Sequence, residues 1–175
     1  MGSSVSGDLC ELVIRELERK ILPNFLQNII IYKRYVDDII VLWRDSPNIT
    51  QFVDQMNDNP YGLTLEVEQH SKSSVHFLDL NIDFGGLIIH TFVYRKPSDN
   101  PTYILADSCD LVQYKMAAFR ALVKRAHSHS STQEVLEQEI QYLYEVAKQH
   151  GYHNIIQKCR NGLEKRCLLL KELIQ

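Results

Sequence analysis

Tyr35-Val36-Asp37-Asp38 sets two adjacent carboxylates between the short apolar runs 29–35 and 39–43. Both runs are rich in β-branched and aromatic residues and too short for a helix, which predicts two strands of one hairpin. Neighbours on a regular strand point to opposite faces, so a turn at Asp37-Asp38 is needed to bring the two acids together. Two like charges side by side leave one of them protonated, and a divalent cation removes that penalty. Mg²⁺ or Mn²⁺ takes one or two carboxylates together with substrate phosphates. Asp37 and Asp38 are therefore the candidate metal ligands and catalytic acids of a two-metal phosphoryl-transfer site. A plain polar turn is the common use of Asp, but unpaired charge is costly between two nearly continuous apolar strands.

A second group of candidates is basic. From Tyr94 to His129 the chain has six Lys or Arg against three Asp, although its net charge is −3. Lys115, Arg120, Lys124 and Arg125 fall on one predicted helix, where they could track a phosphate backbone. A solvated helix face has the same composition.

The elements that position these residues can be read from periodicity. A Ser/Gly loop (2–7) leads into a helix over 8–22. Asp8 and Glu11 form a capping box, and Leu9, Leu12, Val13, Leu17 and Ile21 are its buried stripe; Pro23 stops it. After the hairpin, residues 45–48 break the pattern. A short helix then turns Phe52, Val53 and Met56 inward and ends at Asn59-Pro60. Leu63, Leu65 and Val67 alternate with polar residues as a strand. Val75, Phe77 and Ile82 open another strand region, joined by a Gly85-Gly86 turn to a strand over 87–94. Residues 95–110 are loop-like and mark the predicted domain boundary at 97/98. Helices follow over 111–127, from a Ser131/Glu134 capping box to Gln149, and over 154–174, with Gly151 as the stop between the last two. This order predicts an α+β fold: a mixed or antiparallel sheet with helices on one face, then an all-helical region.

Bulk properties set limits. With 175 residues, 45% hydrophobic and 23% charged, the chain can bury the core of one domain or two small ones. No apolar run reaches the length of a membrane span, and the N-terminus lacks the basic and apolar regions of a secretory signal, which predicts an intracellular protein without a membrane partner. The four cysteines form no C-x-x-C pair and read as buried free thiols of a reducing compartment.

Taken in order, these segments resemble the reverse transcriptases of Penelope-like retroelements over nearly the whole chain, up to about Tyr152. Met1-Gly2-Ser3-Ser4-Val5-Ser6-Gly7 resembles the small-residue B-motif loop that lies beneath the incoming nucleotide and template base. Arg34-Tyr35-Val36-Asp37-Asp38 is similar to the C-motif catalytic hairpin. Phe77-Leu78-Asp79-Leu80-Asn81-Ile82 and Tyr94-Arg95-Lys96-Pro97 resemble the blocks that frame the primer grip and lead into the thumb. Lys115, Arg120 and Arg125, then Glu139 and Gly151-Tyr152, fit the helical thumb.

The resemblance implies a partial polymerase palm over 1–97 and a thumb over 98–175, with an RNA template, a DNA primer and deoxynucleotide triphosphates as partners. It implies that Gly2, Ser3, Ser4 and Tyr35 meet nucleotide and template, Tyr35 packing on the primer's terminal sugar or base. Asp37 becomes the principal metal ligand, Asp38 a second, and Lys72 a proton donor to the leaving pyrophosphate. Phe77, Leu78, Arg95, Lys96, Lys115, Arg120, Lys124 and Arg125 become primer or nucleic-acid contacts. Asp79 is expected to be structural, hydrogen-bonded at a strand edge.

The sequence also departs from that pattern. It begins inside the B motif, without the fingers and without the A-motif strand whose Asp completes the metal site. Gly7 stands where the family often has proline, and no endonuclease domain follows. The expectation is an incomplete Mg²⁺ or Mn²⁺ site and a chain that does not polymerise alone. The alternative is a catalytically silent nucleic-acid- or partner-binding remnant of a retroelement.

Overall fold

Pro23 ends the first helix: α1 (Ser6–Ile21) gives way to a 3₁₀ turn, Leu22–Phe25, with the proline at its start. This is a computed structural model, and it describes residues 6–44, 48–98 and 102–163. The chain is α+β. It divides into two compact units, 1–70 and 71–175, rather than at the predicted 97/98.

In the first unit, β1 (Ile29–Tyr35) and β2 (Asp38–Trp43) form an antiparallel hairpin, and α2 (Ile49–Asn57) follows. Leu17, Ile21, Phe25, Phe52 and Met56 make the core. Phe25, Trp43 and Phe52 meet edge to face, with centroids 5.2 to 6.4 Å apart. Asn48 caps α2, its side chain accepting from the Gln51 amide. Leu9 and Leu12, expected in the buried stripe, are exposed; the side of α1 that meets the hairpin carries Glu11 and Glu18, about 100° or more around the helix from them. The expected Asp8/Glu11 capping box is absent. The helix already begins at Ser6, and Glu11 is bonded to Arg15 and Arg34.

The strand expected through Leu63, Leu65 and Val67 does not form. Asparagine side chains take the place of a partner strand. Asn57 donates to the Leu65 carbonyl and accepts from its amide, and Asn59 does the same for Leu63. The local alternation is real, but side-chain amides satisfy the backbone first.

The second unit opens with an antiparallel meander, β3 (Ser74–Phe77), β4 (Leu80–Asp83) and β5 (His90–Val93). It is separate from the hairpin sheet, so the single sheet expected from sequence is two small ones. The strand expected over 87–94 is only four residues long, because Leu87, Ile88 and Ile89 lie exposed in the loop after Gly85-Gly86.

Helices α3 (Val112–His129) and α4 (Gln133–Gln149) pack against β5, which is why the meander belongs with them. Thr132, not Ser131, caps α4. Ser131 instead closes the free edge of β5, its amide donating to the Thr91 carbonyl and its hydroxyl accepting from the Thr91 amide. Phe119, Val123, Ala126, Leu136, Ile140, Leu143 and Ala147 share a core with Ile155, Ile156 and Cys159 from a further helical stretch over 155–163. Gly151, at φ +82°, lets the chain turn between α4 and that stretch. The remainder of the predicted last helix lies outside the described residues.

Both two-residue hairpin turns carry an unusual residue. Tyr35 pairs with Asp38 and Phe77 with Leu80, which leaves Val36-Asp37 and Leu78-Asp79 as the central pairs. Val36 sits at φ +56° and Leu78 at φ +54°, positions that hairpins normally give to glycine. A β-branched residue there is strained by about 1–3 kcal/mol. Val36→Gly and Leu78→Gly are each expected to stabilise the fold by about 1 kcal/mol after the entropy cost of the new glycine. The check is a higher urea midpoint with unchanged slope; a lower midpoint would show that the turns are not strained.

Candidate metal-binding hairpin and nucleic-acid face

The β1–β2 hairpin packs apolar residues against the core that includes Leu17 and Ile21, and polar side chains tie it to α1 as well. Tyr32 and Arg34, two apart on β1, share a strand face, and Glu11 and Glu18, seven apart on α1, share a helix face. The Arg34 guanidinium donates from Nε to Glu18 at 2.6 Å, and from Nη1 and Nη2 to Glu11 at 2.8 and 3.0 Å. Its Nη1 also donates to the Val36 carbonyl at 3.0 Å, so it braces the strained turn. The Tyr32 hydroxyl donates to Glu18 at 2.8 Å, and burial together with that bond pushes its pKa well up. The Arg34 side chain is only 9% exposed. Its hydrogen bonds, then those of Arg15, hold the Glu11 carboxyl down to about 2.

The consequence for the acids is electrostatic. The arginine nearest them in sequence is turned onto α1. Asp37 lies in the turn and Asp38 opens β2, both exposed. No side-chain hydrogen bond or ion pair reaches either carboxylate among the described residues. The turn is centred on Val36-Asp37, not on Asp37-Asp38 as expected, because Asp38 is already paired with Tyr35 in the ladder. Tyr35 is 62% exposed on the same tip. Sequence reasoning gave Glu11 only a capping role, gave Arg34 only a place in the catalytic motif, and gave Glu18 none. The available signal was two glutamates seven apart on α1 opposite a Tyr-x-Arg on the strand.

In the second unit, several expected nucleic-acid contacts are occupied internally. Lys115 is buried, its ammonium donating to the carbonyls of Ala106 and Ser108 at 2.8 and 2.6 Å. It pins a loop and is unavailable to phosphate. Arg95 pairs with the buried Glu139 and lies 3.8 Å from the Tyr142 ring centroid, tying the segment after β5 to α4. Arg125 pairs with Asp79 at 3.2 Å, and the Asp79 carbonyl accepts from the Tyr94 amide, the structural role expected of Asp79. Phe77 is half-buried in β3, and Leu78 is exposed at the β3–β4 turn. Lys72 lies exposed in the loop before β3. Gly2, Ser3 and Ser4 lie outside the described residues.

Lys96, Arg120 and Lys124 are exposed, without a hydrogen-bond or ion-pair partner among the described residues. Arg120 and Lys124, four apart, share an exposed face of α3 with the small Ala117 and Ala121. The two long helices differ in sign. α3 carries Lys115, Arg120, Lys124 and Arg125 with no acid, whereas α4 carries Glu134, Glu137, Glu139 and Glu145 against Lys148. Arg160, beyond the turn, pairs with Glu137.

Residues 102–161 match the animal helix-turn-helix domain. The matched segment runs from the loop before α3 through α4, the Gly151 turn and most of the helical stretch over 155–163. No curated protein and no solved structure matches the chain. No helix of the described residues is long and apolar enough to cross a membrane. Among the described residues, Cys10 and Cys109 are exposed and only Cys159 is buried, which corrects the expectation of buried thiols. Burial raises the Cys159 pKa.

Two outcomes follow. Lys115→Met leaves two carbonyls without a donor and is expected to destabilise by about 2–3 kcal/mol, while Lys124→Ala stays within about 0.5 kcal/mol; equal effects in chemical denaturation would contradict the assignment. The Glu11 contribution is fully present above its unfolded value of 4.5 and is lost as pH falls toward about 2. Arg34→Met is expected to cost about 2 kcal/mol at neutral pH, mainly by leaving Glu18 without its cation, and to flatten stability between pH 4.5 and 2. An unchanged acid profile would remove Arg34 as the cause.

Proposed function

We propose that this chain is part of an RNA-directed DNA polymerase in which the β1–β2 hairpin contributes metal-binding carboxylates and α3 contacts the nucleic-acid backbone. The observation that carries the reading is the state of Asp37 and Asp38: two adjacent, exposed carboxylates at a braced turn, with their neighbouring arginine committed elsewhere. That donor set fits a hard divalent cation, which favours carboxylate oxygens and leaves positions open for phosphate. Asp37 and Asp38 would hold Mg²⁺ or Mn²⁺, and the cation would supply charge neutralisation for nucleotidyl transfer. Tyr35, exposed beside them, offers a ring on which a primer sugar or base can pack. Arg34 keeps the turn fixed while its charge is offset by Glu11 and Glu18. Template, primer and deoxynucleotide triphosphates are the partners in this reading.

A second reading has its own support. The likeness of 102–161 to the animal helix-turn-helix domain and the acid-free α3 favour nucleic-acid binding without catalysis, as in a silent remnant. In either reading Arg120 and Lys124 neutralise phosphates, and each such contact adds about 0.9 to the slope of log affinity against log salt.

The two readings separate in one set of experiments. Mn²⁺ titration followed by electron paramagnetic resonance is expected to show binding that Asp37→Asn weakens roughly tenfold, about 1.4 kcal/mol, while primer–template affinity is unchanged. Loss of the metal effect with duplex binding intact would leave only the second reading. The double variant Arg120→Ala, Lys124→Ala is expected to lower the salt slope for duplex binding by about 2. Salt-independent binding, or none, would defeat both.

A further inference from the structure

His150 ends α4, and both of its ring nitrogens have partners whose roles are fixed. Nδ1 lies 2.8 Å from the Val146 carbonyl, which can only accept. Nε2 lies 3.1 Å from the Tyr103 backbone amide, which can only donate. The ring must therefore be neutral, with its proton on Nδ1 and its lone pair on Nε2 facing the amide. A second proton, on Nε2, would point at the Tyr103 N–H and break that bond.

The bond belongs to a larger seam. The His150 carbonyl accepts from the Ala106 amide at 3.0 Å, and the Tyr152 hydroxyl donates to the Ile104 carbonyl at 2.7 Å. The Tyr103 ring sits 5.4 Å from both the His150 ring and Phe119. Gly151 backs directly onto Ala106, where an added Cβ would come within 3.2 Å of the alanine methyl. The segment 103–108 thus lies along the turn between α4 and the next helical stretch. Lys115 holds its far end through the carbonyls of Ala106 and Ser108, and His150 holds its near end.

We propose that His150 is a protonation-controlled latch that fastens the 103–108 segment to the turn between α4 and the following helix. Neutral His150 closes the latch and protonated His150 opens it at Tyr103, while Lys115 keeps the far end attached. The other titratable groups on the elements around it include Asp107 and Asp110 before α3, Lys115 and Arg120 on α3, Tyr144, Glu145 and Lys148 on α4, Tyr152 and His153 in the turn, and Lys158 and Cys159 beyond it. The acceptor of the Tyr103 amide is His150 Nε2. The inference stands independently of the polymerase reading.

The test is NMR on the full chain. Imidazole ¹⁵N shifts at pH 8 are expected to show the Nδ1–H tautomer of His150. As the pH is lowered to 5, the protection factor of the Tyr103 amide is expected to fall at least roughly tenfold, in step with His150 and not with His153, while Val123 in the core stays protected. His150→Gln offers an oxygen to Tyr103 and an amide to Val146, and is expected to keep Tyr103 protected at both pH values. An Nε2–H tautomer, constant Tyr103 protection while His150 titrates, or an unchanged pH response in His150→Gln would each overturn the latch. The first two measurements need no variant.

Discussion

The first unit depends on a single guanidinium. A two-stranded hairpin alone is marginal in water, and this one has strained Val36 at its tip. Arg34 addresses both problems. It bonds Glu11 and Glu18, fixing the hairpin against α1, and reaches the Val36 carbonyl, holding the turn in its positive-φ conformation. Tyr32 completes the contact through Glu18. The clamp spans Glu11 to Glu18 and runs into the apolar core around Leu17, Ile21, Phe25 and Phe52, against which Tyr32 also packs. Leu9 and Leu12 lie on a side of α1 turned away from Glu11 and Glu18, and are exposed.

The second unit uses the same kind of device on a different scaffold. Its meander is short, with four residues in each strand, and its attachment to the helices relies on side chains placed at the ends of elements. Ser131 closes β5 from the loop between α3 and α4, and Arg95 reaches α4 from just after β5. An ion pair this close to a buried carboxylate matters chiefly through what its loss would leave behind, an unpaired Glu139. These tethers join the meander to the helices, so the compositional break near Pro97 is a loop within one unit.

The sequence made the helices and the two hairpins legible because their apolar periodicity survives in the core: Phe52 and Met56 on α2, and Phe119, Val123 and Ala126 on α3, are buried as their spacing requires. Asp37 and Asp38 were legible as a pair because their setting between two apolar runs is local. Leu63–Val67 misled because its alternation is also local, while the decision was made by Asn57 and Asn59. Ser131 misled because a serine before a helix can cap it or close a strand, and Thr132, one residue later, supplied the cap. Helix α1 showed the limit of periodicity most clearly, since its apolar stripe continues past the point where anything apolar lies opposite.

Charged residues divide along a line that composition does not reveal. Lys115 and Lys124 stand on the same helix, nine residues apart, and look equivalent in a count of cations. One turns inward to loop carbonyls and the other faces solvent. Arg34 and Arg95 are likewise occupied by glutamates. A buried cation must find partners or lose its charge, so burial removes it from any intermolecular role. Among the charges outside these internal pairs, two carboxylates sit together at a hairpin tip and two cations share one face of α3. Each pair is left over after internal pairing is complete, and residual charge of this kind attracts ions and phosphates. The folding clamps therefore also set which charges stay free, since removing Arg34 or Lys115 would change which groups are unpaired as well as how stably the chain folds.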